Sequence, residues 1–377
     1  MSTNKIQQFL SKETLETPFL VVDLDIVAKN YLALSKQLAG IKIFYAVKAN
    51  PATPILEVLR DLGSNFDTAS IYEIQKCLEL GIEPQRLSFG HTVKKEIDIC
   101  KAFDAGIRYF AFDSISELEK LSRAAPNSFV FCRFLTPNDG AEWPLTDKFG
   151  CNPELAVDLL CKAVDFGLSP IGVSFHVGSQ QRNPSNWGIA LDQANNIFAA
   201  TARRGLTLSY LNLGGGFPSQ YRGPVSKLKP HTNAIKNGMK NHFGGIVDQT
   251  VVEPGRFIVG DAGVIQSEVV LISQKSAKEQ KRWVYLDIGK FGGLPEVLDE
   301  AIKYKIRTPH DGKLVGPVII AGPTCDEVDI LYDKTGYELP IELSIGDRVE
   351  ILSAGAYSAS YSSVGFNGFP PLKEYYI

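Results

Sequence analysis

No run of about 18 apolar residues occurs in this chain, so no helix in it is expected to span a bilayer. The opening MSTNKIQQFL has neither the basic start nor the apolar core of a secretory leader, and a cytoplasmic location is the expectation. There is also no long Lys/Arg run, and the formal net charge is -3, which leaves no electrostatic footprint for nucleic acid or an anionic membrane. The six cysteines (Cys77, Cys100, Cys132, Cys151, Cys161 and Cys325) show no paired spacing. Neither a metal site, nor a redox couple, nor a disulfide framework is therefore expected, and most of them should be buried, reduced fillers. Internal repeats and low-complexity segments are absent as well. What remains is 377 residues, 44% hydrophobic and 21% charged, enough for a full core in one large domain or two ordinary ones. Small-molecule chemistry is the class these absences favour.

From Ile41 to about Arg256, short apolar runs alternate with helical patterns. Eight strands are expected at 41–47, 64–68, 86–90, 108–113, 129–135, 171–177, 209–214 and 249–254. Ser70 followed by Glu73, and Ser114 followed by Glu117, read as capping boxes that open helices, and Val93, Ile97 and Cys100 read as a further helical stripe. Eight β/α repeats predict a TIM-like (β/α)8 barrel, with a doubly wound open sheet as the alternative that periodicity leaves open. Beyond about Asp261 the pattern changes to strands without regular helices, which predicts an all-β domain. TPFLVVDLD near the N-terminus reads as a strand able to join it. The expected division is 1–23 with the β domain, 24–261 as barrel and 262–377 as C-terminal β domain.

A strand that ends in a lone cation, as IKIFYAVKANP does at Lys48, is unusual for a core element. The other expected strand ends are polar too: Asp67, Arg133, His176 with Ser179, the run Gly214, Gly215 and Gly216, and Glu253 with Arg256. In a parallel barrel all of these converge on the C-terminal face of the strands, where active sites lie. The triple glycine offers unshielded backbone N–H groups, and Arg256 and Ser179 add donors, a combination suited to phosphate. A lysine opposite them can form a Schiff base with an aldehyde. Together with a carboxylate for a pyridinium nitrogen, Glu253, the set suggests pyridoxal phosphate.

YAVKAN (45–50), HVGSQ (176–180), GGGFP (214–218), EPGR (253–256), GPTCDEVD (322–329), GAY (355–357) and FNGF (366–369) resemble, in order and over nearly the whole chain, the basic amino acid decarboxylases of the alanine-racemase fold, the ornithine/lysine group. The resemblance implies a homodimer of pyridoxal 5'-phosphate barrels with C-terminal β domains, its active sites shared across the interface. It implies decarboxylation of ornithine, with lysine also accepted, to putrescine and cadaverine in polyamine biosynthesis. In this likeness Lys48 carries the cofactor, His176 stacks on it and Glu253 meets its ring nitrogen. Ser179, Gly216, Arg256 and Tyr357 hold the phosphate, with Gly214, Gly215 and Gly255 in the same motifs. Asp67 and Arg133 belong to the surrounding polar network. Cys325 is the proton donor from the second subunit, and Asp326 faces the distal amine of the substrate. Glu300 aligns best as the second acid for that amine, with Asp299 beside it, and Phe366 lines the pocket. Lys148 and Asp329 resemble a pair that bridges subunits. Racemases of this fold place a cation against the pyridine nitrogen and lack GPTCD. Diaminopimelate decarboxylases resemble CES where this chain reads CDE at 325–327. These and arginine decarboxylases remain the nearest alternatives in chemistry, and a non-catalytic regulatory homologue the alternative in class.

Overall fold

The structure is a computed structural model that describes residues 3–12, 15–225 and 227–377. It divides into two compact units, one of Ala28–Pro218 with Ser226–Phe257, the other of Met1–Val27, Ser219–Val225 and Ile258–Ile377. The first contains a closed barrel of eight parallel strands. In chain order, β1 (Phe19–Val22) belongs to the second unit, and β2 (Lys42–Ala46), β3 (Asn65–Thr68), β4 (Leu87–Phe89), β5 (Tyr109–Phe112) and β6 (Phe129–Arg133) open the barrel. A short ribbon of β7 (Ala141–Trp143) and β9 (Ser179–Gln181) flanks β8 (Ser169–Ser174), and β10 (Tyr210–Asn212) and β11 (Gln249–Val252) complete the ring. The closed order is β10, β11, β2, β3, β4, β5, β6, β8. All eight expected strands are thus present, and closure excludes the open sheet.

The barrel closes around side chains that alternate along each strand, as the two-residue period requires. Phe44, Ala111, Phe131, Tyr210 and Val251, from five different strands, pack as one buried cluster, with the Phe131 and Tyr210 rings 5.1 Å apart. The helices between strands begin where the sequence supplies caps. Ser70 Oγ accepts from Glu73 N ahead of the helix Ile71–Glu79, while the Glu73 carboxylate reaches back to Ala69 N at 2.6 Å, one residue beyond the reciprocal box. Ser114 caps Ile115–Ala124 in the same way. Glu117, however, does not return to its cap. Its carboxylate lies 2.9 Å from Lys94 Nζ and 2.5 Å from Lys120 Nζ, in a buried cluster of charges.

The stripe expected at Val93, Ile97 and Cys100 does not face the core. Val93 and Ile97 are exposed, and the helix Glu96–Asp104 instead buries Ile99 and Ala102. Val93 precedes that helix, so it contributes nothing to its phase. Of the cysteines, Cys77, Cys132 and Cys151 are buried, Cys100 and Cys161 are half-buried, and Cys325 is exposed.

The second unit is built on an eight-stranded sheet of β1 with β12 (Gly263–Ser273), β13 (Arg282–Leu286), β14 (Ile306–Arg307), β15 (Val315–Ala321), β16 (Ile330–Pro340), β17 (Arg348–Leu352) and β18 (Lys373–Tyr376). The N-terminal strand pairs antiparallel with β12 and parallel with β18. A helix at Asn4–Lys12, which periodicity did not indicate, places Ile6 against Phe19, Val21, Val264 and Leu352 in the core of this sheet. The long strand β16 runs through DKTG at 333–336, residues with turn character. In the sheet those residues form an irregularity between Tyr332 and Tyr337 rather than a chain reversal.

Candidate active site

Each polar strand end of the barrel is placed by a local device. Lys48 sits in a single tight turn, Val47–Ala49, after β2, and the turn is closed by Asn50, whose carbonyl accepts from Tyr45 Oη and whose Oδ1 accepts from Ala52 N. The Lys48 side chain emerges from the turn, with Nζ 3.5 Å from Asp67 Oδ2 at the end of β3. Ser179 lies on the ribbon strand β9, where its hydroxyl meets the Arg256 guanidinium at 3.0 and 3.3 Å. Arg256 follows Gly255 and is almost fully buried.

The glycine run after β10 is required by geometry. Gly214 and Gly216 have φ of +62° and +97°. A Cβ on Gly214, Gly215 or Gly216 would lie 2.1 Å from Phe175 O, 2.5 Å from Glu253 O or 2.5 Å from Gly178 O. The turn therefore packs backbone to backbone against the segments that carry His176 and Glu253, and Gln181 N donates to Gly216 O at 2.9 Å. Asn212, at the end of β10, received no assignment from the sequence, although the rule that found its neighbours, a polar residue at a strand end, applies to it equally. Its amide donates to Glu253 Oε1, and its Oδ1 accepts from Gly214 N at 2.9 Å.

The electrostatics of the barrel mouth follow from four desolvated groups, Glu253, Asp67, Arg133 and His176, that feel the charge of the half-exposed Lys48 amine or of one another. Burial pushes the Glu253 carboxyl up to about 7, aided by the negative charge of Asp67 and opposed by Lys48, Asn212 and Arg133. Burial likewise raises Asp67, against the pull of Lys48 and Arg133. It lowers Arg133, which Glu253, Asp113 and Asp67 counter. His176 is held well below the ordinary imidazole range by burial and by the charges of Arg133 and Lys48. It also accepts a hydrogen bond from Gly178 N at Nδ1, 3.0 Å away, so the ring is neutral with its proton on Nε2. Glu73, on the first turn of the helix after β3, is raised by burial and interacts with Lys48 and Asp67.

Cys325, Asp326, Phe366, Tyr357, Asp299, Glu300 and Asp329 lie in the sheet unit, whereas Lys148 belongs to the barrel unit. Cys325 is exposed, and its backbone N–H donates to Asn367 Oδ1 at 2.9 Å, which ties the CDE segment to FNGF. Asp326 is half-buried and accepts from Val328 N. Phe366 meets Phe291 at 4.5 Å, and both line a cavity of about 270 Å³ with Thr324, Asp287, Glu16 and Lys373. Tyr357 follows Gly355 in the left-handed region, with φ of +56°.

Two pairs of expected residues, Glu300 with Asp299 and Asp329 with Lys148, have unequal surroundings. Glu300 is 8% exposed, and its carboxylate accepts from the backbone N–H groups of Asp333, Lys334 and Thr335 at 2.6 to 2.8 Å. Although burial works against its charge, these amides hold its carboxyl below the usual range. Asp299, next to it, is exposed with φ of +50°. Of the two acids, Asp299 is the one presented to solvent. Asp329 is 2% exposed and accepts from Lys290 N and from Thr324 N and Oγ1, whereas Lys148 is exposed and lies 5.1 Å from the Phe149 ring. Within its own unit Asp329 organises two loops, and a Cβ on Gly289 or Gly322 would collide with it at 2.2 and 2.3 Å.

The donor set of the barrel fits pyridoxal phosphate. It comprises an amine at the mouth, a neutral imidazole, a carboxylate at the end of the strand next to the amine's, and a guanidinium–hydroxyl pair beside a glycine turn. The sequence matches the family model described as pyridoxal-dependent decarboxylase, pyridoxal binding domain, over residues 24–260. It is 36% identical over 358 residues to a lysine/ornithine decarboxylase of Selenomonas ruminantium, an alignment covering 94% of this chain and 88% of that one. The fold superposes with a TM-score of 0.90 on the arginine decarboxylase of Paramecium bursaria Chlorella virus bound to agmatine, at 30% identity and 99% of each chain. It superposes with a TM-score of 0.88 on the lysine/ornithine decarboxylase of Vibrio vulnificus complexed with putrescine, at 28% identity, covering 100% of this chain and 99% of that one. Matched by that family model over residues 24–260 and by a relative 36% identical across 94% of its length, the chain belongs to the pyridoxal-dependent decarboxylases.

Proposed function

We propose that this enzyme removes the α-carboxylate of ornithine and lysine, forming putrescine and cadaverine for polyamine biosynthesis, as a cytoplasmic homodimer. The observation that carries the reading is the barrel-mouth constellation of Lys48, Asp67, His176, Glu253 and the Arg256–Ser179 pair. The lysine/ornithine enzymes among its relatives support the substrate class. When bound, pyridoxal phosphate supplies an aldehyde for amine capture and a ring that accepts the electron pair of a bond broken at the α-carbon.

In this proposal Lys48 provides the amine that the substrate displaces, and Asp67 keeps that amine oriented. His176, neutral, offers an uncharged face to the ring. Glu253, once ionised, favours the proton on the ring nitrogen. Arg256, Ser179, Gly216 and Tyr357 anchor the phosphate. Asp326 and Asp299 hold the distal ammonium, which fixes the orientation of the α-carboxylate. Cys325, contributed by the sheet unit of a second copy, delivers a proton to the α-carbon.

The deciding experiment measures carbon dioxide and amine product from ornithine, lysine, arginine and diaminopimelate with the purified enzyme and added cofactor. Release from ornithine and lysine, with the matching diamines, is expected. Turnover of arginine or diaminopimelate alone would replace the substrate assignment, and no release from any of the four would end it.

A further inference from the structure

Asn212 makes two hydrogen bonds from one fully buried side chain, and they run in opposite senses. The Gly214 N–H can only donate, so the amide oxygen must face the glycine turn. The NH₂ end is thereby left facing Glu253. The turn itself has little freedom, because any Cβ on it meets backbone. Glu253 N in turn donates to Gly214 O at 2.8 Å, so carboxylate, asparagine and turn form a closed circuit.

We propose that Asn212 is a positioning residue that aims the Glu253 carboxylate and favours its ionised form through an amide whose orientation is dictated by the glycine turn. The inference rests on Glu253 acting as the partner of the cofactor's ring nitrogen, a task that needs a charged acceptor pointed in one direction. The surroundings of Glu253 make a dedicated donor necessary. Asp67, on β3, and burial both favour its protonated form. Lys48 after β2 and Arg133 on β6 oppose that at a distance, and the buried Tyr210 ring lies on the same strand as Asn212. Asn212 is the group that adds a direct hydrogen bond to the charged form, and such a bond lowers a carboxyl pKa. Because the same amide receives Gly214 N–H, displacement of the turn by a phosphate would be felt at Glu253.

Two variants separate this role from simple support of the turn. Asn212→Leu removes both the donor and the acceptor. Asn212→Asp keeps an acceptor for Gly214 and brings a second carboxylate beside Glu253, so the pair must retain a proton to higher pH. Infrared titration of the full-length chain without cofactor follows the carbonyl band of the protonated carboxyl, assigned by its loss in Glu253→Gln. The midpoint, expected at about 7 in the parent chain, should rise by about one unit in Asn212→Leu and by more in Asn212→Asp. With cofactor bound, the acid limb of kcat/KM should move up in step, about tenfold in rate per unit below the midpoint. An unmoved midpoint in folded Asn212→Asp would overturn the proposal and leave Asn212 as a prop for the turn, and that variant decides alone if Asn212→Leu does not fold. Failure of the underlying reading would look different. Glu253→Gln would then decarboxylate at near-parental rate, whatever Asn212 does to the titration.

Discussion

Glu300 and Asp299 are adjacent acids with opposite environments. Both residues are left-handed, Glu300 with φ of +55° and Asp299 with φ of +50°, and the first side chain is buried while the second is exposed. Glu300 lands on three consecutive amides of β16, at the irregularity that takes their N–H groups out of the ladder with β15. Its carboxylate supplies the acceptor that these three N–H groups lack in the ladder. Glu300→Ala should therefore lower stability by about 1.5–3 kcal/mol, the range for hydrogen bonds to a charged group, as read by denaturant unfolding. Asp299→Asn should instead raise KM for ornithine and lysine, with stability changed by less than about 0.5 kcal/mol. The reverse pattern would return the distal-amine role to Glu300.

Between elements, the cluster of Lys94, Glu117 and Lys120 fastens the turn after β4 to β5 and to the helix Ile115–Ala124. Lys94 Nζ is buried, donates to the carbonyls of His91 and Ala111 at 2.7 Å, and pairs with Glu117. Burial brings its ammonium down to about 8 despite that carboxylate. Glu117→Ala strands a buried cation and should cost on the order of 3 kcal/mol at neutral pH. The deficit should shrink as pH rises, because Lys94 loses its proton in the fold while the unfolded chain, at 10.5, still holds it. Unfolding of parent and variant between pH 7 and 10 checks this, and a deficit that does not vary with pH would mean that Lys94 is not the charge at fault.

The helices Ser185–Arg203 and Leu228–His242 enclose a second case, His231, which is fully buried with its ring 5.4 Å from that of Trp187. Burial lowers it to about 4. The unfolded chain therefore binds a proton between about 6.5 and 4 that the fold refuses, so stability falls as pH drops through that window. His231→Phe should flatten that part of the acid dependence of Tm, and an unchanged slope would assign it to the carboxylates.

For the molecule as a whole, the proposed division of labour is between barrel and sheet of different copies. The loops that carry Cys325 and Phe366 also expose Val328 and Val364, at 59% and 80%. Apolar side chains left at a surface beside a proposed proton donor suit a second copy of the chain. Mixing Lys48→Ala with Cys325→Ala chains, each inactive alone, should restore part of the parental rate, because a hybrid dimer would assemble one complete site. Proven subunit exchange without recovered activity would place lysine and thiol in the same subunit's site.

The sequence by itself determined the eight barrel strands, since a period of two and the caps at Ser70 and Ser114 are properties of a few neighbouring residues. It also determined the site's polar strand ends, because a parallel barrel delivers every such end to one face, and so Lys48, Asp67, His176 and Glu253 were legible before any coordinates. Partnership was not legible. That Asn212 serves Glu253, that Glu300 caps β16, that Glu117 leaves its capping box for Lys94, and that Asp329 is enclosed all depend on groups distant in the chain. A carboxylate takes whichever donors the fold desolvates beside it, and only the tertiary structure decides which those are.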